Sequence, residues 1–246
     1  MFAIFWPSIV AGPVKRYQQF IPAMEEGTGN VDSSLAASGF LRVAIGAVKK
    51  FAADSCTAYL ALAMASFATV GSSRRWFMLF VLAMRIYLDF SGYSDMAIGF
   101  GRMAGIRLPE NFNWPYLATN MIDFWRRWHI SLSTWIRDYV YIPLGGSRRG
   151  PVLRATNALV AFSLCGLWHG AGWNFVFWGV YHGIGVVAAS AYQSWQGRSN
   201  VALASWISQS VPGWALTMLY VGIGWLFFFY PLDQALLMTR QLFLLK

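Results

Sequence analysis

"LCGLWHGAGWNFVFWGVYHG" occupies residues 164–183. It holds two of the chain's three histidines, His169 and His182, with five glycines, three tryptophans and no formal charge. A run this apolar belongs in lipid or in a buried core. A helix starting at Ala155 would carry His169 about 21 Å along its axis at ~1.5 Å per residue. That is deep inside a ~30 Å hydrocarbon layer. An ionisable group at such depth is costly and marks a functional site by default. The glycines of "WHGAG" break the helix beside it, and irregular backbone in a membrane survives only where protein or a water-lined cavity covers it. Imidazole and break together therefore suggest a buried cavity. The plainer alternative is one hydrogen bond from His169 to a neighbouring helix.

The rest of the chain points to the same solvent. Hydrophobic residues make up 57% of the 246 and charged residues 12%, against roughly 25% charged in an average soluble domain. Too little charge remains to wet a surface, so an all-α integral membrane protein is expected. The net charge of +9 comes from 19 Lys+Arg against 10 Asp+Glu. No basic stripe on a soluble module accompanies it, so no nucleic-acid partner is expected. Excess basic residues in a membrane protein mark cytoplasmic loops and anionic lipid. Cys56 and Cys165 both lie in apolar runs and suggest neither a disulfide framework nor a zinc motif.

Five membrane-crossing or membrane-buried helices are expected, over residues 51–70, 76–100, 155–168, 173–192 and 214–230. A shorter apolar helix over 35–48 reads as half-buried or re-entrant. With no repeat and no linker, residues 1–246 read as a single membrane domain. Eight of the basic residues fall between Arg102 and Arg154, which assigns that excursion to the cytoplasm. Arg74-Arg75, at the other end of the 76–100 helix, conflicts with this. Within the excursion, residues 120–142 read as one amphipathic helix. Phe124, Trp125, Trp128 and Trp135 share one face, as in a helix lying at a membrane interface.

Further polar residues in apolar surroundings are candidates for chemistry. His129 sits at the edge of that apolar face, either pointing into the protein or anchoring at the interface. For His182 the plainer reading, helix–helix hydrogen bonding, is favoured. No HxxxH or HxxE spacing supports a metal site. Arg85 and Asp89, at i,i+4, are expected to pair with each other. Asp95 has no obvious local partner and is the better candidate for lining a polar path. "LPENFNWPY" follows as a loop rich in proline and asparagine.

Four ordered motifs, "FWPSIVAGPVKRY", "DFSGYSDMAIGFGRMAGIRLPENFNWPY", "FWRRWHISLSTWIRDYVYIPLGG" and "LWHGAGWNFVFWGVYHG", closely resemble the membrane-bound O-acyltransferases. They are most similar to the bacterial alginate O-acetylase branch, with the teichoic-acid D-alanyl transferases as near relatives. The resemblance implies a polytopic helical bundle, with re-entrant and interfacial helices, around a tunnel. It implies transfer of an acyl group, acetyl above all, from a thioester donor such as acetyl-CoA to a hydroxyl of an exopolysaccharide such as alginate. His169 matches the catalytic histidine of the family and His129 its second signature residue. Asp95, Asp89, His182, Trp168 and Asn174 are carried over as candidates for the substrate path.

The resemblance further implies no bound cofactor, a multi-pass place in the bacterial inner membrane, lipid contact, and an export-side acetyltransferase partner. Family members are about twice this length, so the chain is expected to be a partial member lacking helices that wall the tunnel. Acyl or small-solute transport, D-alanyl transfer and an inactive fragment are the alternatives.

Overall fold

A computed structural model describes residues 5–8, 12–27, 31–199 and 211–244. Residues 9–11, inside the first family-like motif, lie outside the described residues. Among the described residues the regular structure is helical, with no strand. The helices are α1 (Tyr17–Gly27), α2 (Ser33–Ala63), α3 (Ser72–Met103), α4 (Met121–Arg127), α5 (Ile130–Ile136), α6 (Gly150–His169), α7 (Trp173–Ser199), α8 (Val211–Phe229) and α9 (Leu232–Leu242). A π-turn over Arg137–Tyr141 follows α5. Of these, α6, α7 and α8 are long and apolar enough to cross a membrane. The protein is an integral membrane protein of polytopic helical fold.

The chain divides into two compact units. One gathers Met1–Ala63, Val81–Asn113 and His129–Leu132; the other gathers Met64–Phe80, Trp114–Trp128 and Ser133–Lys246.

The first unit is organised by α2 and α3. The short apolar helix expected over 35–48 and the crossing helix expected over 51–70 are one continuous helix, α2, that ends at Ala63. Nothing between Val48 and Phe51 breaks it, because Lys49 and Lys50 are good helix formers. Asp32 starts it, its Oδ1 accepting the Leu35 N–H at 2.7 Å. That bond holds the exposed Asp32 carboxyl below its ordinary pKa.

α2 and α3 run antiparallel and touch through glycines. A Cβ placed on Gly39 would lie 2.7 Å from the Gly99 carbonyl oxygen, and one on Gly46 would lie 2.6 Å from that of Gly92. No real side chain fits there, so the backbones meet directly.

That closeness sets the ion pairs. Asp95, buried, receives Arg42 Nε at 2.8 Å and Lys49 Nζ at 2.6 Å. Lys50 pairs with Asp89. Arg85 Nε donates to Thr57 Oγ1 at 2.9 Å. The expected Arg85–Asp89 pair is therefore corrected: each residue reaches across to α2. A facing helix at glycine distance presents its partners better than the next turn of the same helix.

In the second unit, Arg75 is buried, 1% exposed. It donates from Nε to the Phe67 carbonyl at 2.9 Å, from Nη2 to Ala68 at 3.1 Å, and from Nη1 to Gln241 at 2.5 Å and Leu244 at 3.3 Å. It ties the segment before α3 to the end of α9, whose last carbonyls lack helical donors. Arg75 is thus a structural clasp rather than a loop charge, and the Arg74-Arg75 conflict reduces to the exposed Arg74.

Two outcomes are expected in detergent. Asp95→Asn leaves Arg42 and Lys49 facing a neutral amide and should cost about 1–3 kcal/mol, discounted for their partial exposure. Arg75→Ala should cost more, about 3–5 kcal/mol, by orphaning buried carbonyls. Thermal unfolding of each purified variant against the parent checks the size and the order.

Candidate functional site

α6 and α7 form a hairpin whose turn is residues 170–172 of "WHGAG". The glycines of the stretch permit its tight packing. A Cβ on Gly166 would strike the Phe175 carbonyl, and one on Gly179 the Phe162 carbonyl. α6 begins at Gly150, five residues earlier than expected. Its 20 residues span about 30 Å, so His169 terminates a full-length span. The helix does end beside the imidazole, as the glycines suggest.

His169 is half-buried at that end. It meets three aromatic rings edge-on: Trp168 at 4.9 Å, Trp178 at 5.2 Å and Phe228 at 5.1 Å. No side-chain hydrogen bond to another helix engages it among the described residues. Asn174, the second residue of α7, donates from Nδ2 to the Phe227 carbonyl at 3.3 Å and so tethers α7 to α8. Trp168 is 62% exposed.

Trp178 is shared by two imidazoles. His182 lies on its other side, centroids 4.8 Å apart, one turn further along α7. His182 is fully buried. Phe124, Trp125, Tyr181, Tyr220 and Trp225 complete an aromatic cage around it. Gly224 on α8 makes the room, since a Cβ there would sit 2.7 Å from His182 Nε2. Among the described residues neither imidazole nitrogen has a hydrogen-bond partner, and the same holds for Trp125 Nε1 and Trp178 Nε1. The expected helix–helix hydrogen bond of His182 is therefore replaced by aromatic packing. α7 and α8 are clamped instead by Tyr181 and Tyr220, stacked at 4.1 Å, each hydroxyl donating to the other's carbonyl.

The amphipathic helix expected over 120–142 is corrected. α4 stops at Arg127, and His129 takes φ +43, in the left-handed region. α5 then resumes at Ile130. A left-handed residue resets the 100° phase, so the single apolar stripe does not persist. Phe124, Trp125 and Trp128 are buried in protein at 0%, 8% and 4% exposure, not turned to acyl chains. Trp128 packs on Trp225 at 4.8 Å and Phe124 at 5.7 Å. Trp135 and Tyr139, tilted together at 5.1 Å, remain exposed.

His129 belongs to the first unit. It is 4% exposed and meets Phe90 edge-on at 4.6 Å. Asp89 and Asp95 lie in that unit's ion-pair ladder, so both carboxylates are neutralised by α2.

The loop "IPLGGSRRGP" after the π-turn surrounds a cavity of about 280 Å³, lined by Arg137, Tyr141, Gly145, Gly146, Ser147 and Arg148. Arg137 pairs with Asp138 at 2.7 Å, which keeps its guanidinium charged. Burial pushes the Tyr141 phenol above its ordinary pKa, partly countered by Arg154. The phenol therefore stays protonated and able to donate. Among the described residues no three His, Cys, Asp or Glu side chains group as metal ligands.

The model of the membrane-bound O-acyltransferase family matches residues 1–231. The chain belongs to that family. Among its relatives, the "Peptidoglycan O-acetyltransferase" of Helicobacter pylori is 34% identical over 230 residues, 93% of this chain and 43% of that protein. The "Probable alginate O-acetylase AlgI" of Pseudomonas aeruginosa is 40% identical over 232 residues, 92% of this chain and 42% of that protein. The "Teichoic acid D-alanyltransferase" of Bacillus subtilis is 28% identical over 203 residues, 79% of this chain and 51% of that protein. The chain thus spans about half the length of the curated relatives it matches. His169 sits at the end of α6 and His129 at the break between α4 and α5. The cage around His182 is the feature that the motifs did not announce. The aromatic spacing of α7 and Gly224 were its only traces in sequence.

His182→Phe should keep the fold and the unfolding temperature, or raise them, because an aromatic ring of similar size removes two unsatisfied buried nitrogens. His182→Glu should prevent accumulation, since a buried unpaired carboxylate costs several kcal/mol. Size-exclusion profiles and thermal unfolding of both variants check this.

Proposed function

We propose that this membrane-bound O-acyltransferase family member moves an acyl group, acetyl as the favoured species, from a thioester to a hydroxyl in the bacterial inner membrane. The favoured acceptor pathway is O-acetylation of an exopolysaccharide such as alginate. The observation that carries the reading is His169: an imidazole on the family's "WHG" motif, half-buried at a helix end among Trp168, Trp178 and Phe228 and not tied to a neighbouring helix. A histidine held only by ring edges keeps a nitrogen free to take a proton. Names of relatives support O-acetylation more than D-alanyl transfer, by identity and by coverage.

The chemistry follows from that nitrogen. His169 accepts the proton of the attacking hydroxyl as its oxygen bonds to the thioester carbonyl carbon. The tetrahedral adduct then collapses, the carbon–sulfur bond breaks, and the imidazolium returns the proton to the leaving thiolate. Surrounding rings exclude water that would otherwise hydrolyse the thioester. His129 serves the same reaction by orienting the donor or assisting proton transfer. Asn174 holds α7 against α8 behind His169, while Asp89 and Asp95 brace α2 and α3. An export-side acetyltransferase protein is the favoured first acceptor, passing the group onward to the polymer.

For a coenzyme A donor, the cavity of the "GGSRR" loop supplies fitting chemistry. Arg137, Arg148, the Ser147 hydroxyl and the Tyr141 phenol are all donors that suit phosphate oxygens.

In membranes containing the full gene product, His169→Ala should lower transfer of label from radiolabelled acetyl-CoA by at least about a hundredfold, the low end for a lost general base. Label that crosses the membrane in a His169-independent way, with no acyl transfer, would instead favour a transporter. Arg148→Ala should raise the KM for acetyl-CoA about three- to tenfold with kcat nearly unchanged, as for a group that holds donor equally in ground and transition states. Initial-rate kinetics on the same membranes separate the two parameters.

A further inference from the structure

His129 is the strained residue of the first unit. Its φ of +43 is one of only two positive values at non-glycine residues among the described residues. Left-handed backbone outside glycine persists only where the surroundings over-determine it. No glycine or proline lies between Trp125 and Pro143 to relieve it.

The surroundings that fix it converge on Asn111, a buried residue of the "LPENFNWPY" loop, 1% exposed. Its backbone carbonyl accepts the Ile130 N–H at 3.0 Å. Its side-chain Oδ1 accepts the Ser131 N–H at 3.3 Å and the Ser131 hydroxyl at 2.8 Å. Its Nδ2 donates to Ser94 Oγ on α3 at 3.1 Å. Ser131 Oγ in turn accepts the Val14 N–H at 2.9 Å. The two residues directly after His129 are therefore pinned by one asparagine, which is itself pinned to α3. The next residue, Phe112, packs edge-on against Phe90 at 5.0 Å, and Phe90 is the ring that meets the His129 imidazole. One loop supplies both the polar strut behind the break and the wall beside the imidazole.

We propose that Asn111 is a positioning residue for His129: its bonds to Ile130 and Ser131 hold the left-handed break that sets the imidazole against Phe90. The proposal rests on the reading of His129 as a group serving acyl transfer. Its geometry requires an amide at this position. Oδ1 must accept twice while Nδ2 donates once, which neither alanine nor a carboxylate can do.

The test uses the full gene product in membranes and in detergent. Asn111→Ala should lower kcat for acyl transfer about ten- to a hundredfold, the cost of a catalytic group displaced by about 1 Å, with donor KM changed by less than about threefold. The double variant with His129→Ala should be no slower than His129→Ala alone, since both changes remove one positioned imidazole. A kcat within about twofold of the parent, where His129→Ala is inactive, overturns the assignment of Asn111 and leaves the acyltransferase reading standing.

A second readout needs no activity. Diethyl pyrocarbonate modification of His129, followed by peptide mass spectrometry, should rise about tenfold in Asn111→Ala. The caged His182 should stay protected. Unchanged protection of His129, or equal exposure of His129 and His182, overturns the proposal. If Asn111→Ala does not accumulate, Ser131→Ala and Ser94→Ala each remove part of the strut and should give smaller rises at His129 alone. Flat His129 protection in both also overturns it. An active His129→Ala variant, by contrast, counts against the reading of His129, and the labelling arm still decides whether Asn111 holds it.

Discussion

Where Gly46 faces Gly92 and Gly39 faces Gly99, the α2 and α3 backbones approach with no side chain between them. The ion pairs between these two helices form across that approach. Arg42 and Lys49 then converge on Asp95, and Lys50 meets Asp89. Apolar helices carrying this many charges would otherwise have to solvate each one separately, at several kcal/mol apiece. The same device recurs within the second unit, where Gly166 and Gly179 let α6 and α7 pack as a tight hairpin.

The two units solve the burial of polar groups differently. In the first, ion pairs and the Asn111 strut satisfy nearly every buried donor and acceptor they involve. In the second, backbone carbonyls satisfy Arg75, but aromatic rings pack around the two imidazoles. His169 and His182 are surrounded by ring edges and faces, and Trp125, Trp178 and His182 keep nitrogens with no partner among the described residues. A network of bonded groups is rigid and specific. A shell of rings is dry and shape-selective.

Much of this was legible from residues alone. The all-helical membrane fold follows from composition and apolar runs. The helix end at His169 follows from the glycines of "WHGAG", α8 lies within three residues of its expected span, and α7 starts at Trp173 as expected but runs on to Ser199, seven residues past Tyr192. The misreadings share one cause. The Arg85–Asp89 pair and the continuous 120–142 stripe both rest on neighbours along the chain. In the fold, the decisive neighbours are Lys50, Arg42, Lys49 and Asn111, between 18 and 53 residues away.

Sequence by itself determined the solvent, the all-helical class and the identities of the three imidazoles, because hydropathy, glycine placement and side-chain chemistry are local properties. Only the tertiary structure decided what each imidazole touches. His129 stands at a left-handed break that no glycine or proline announces, held by an asparagine one loop earlier. His182 sits in a cage that exists only because Gly224, on another helix, has no Cβ. His169 lies at the end of a span, not midway along it, because α6 starts at Gly150. Contacts between distant segments set those three environments, and the energies that fix them, close packing and the need to satisfy buried polar groups, act through space and not along the chain.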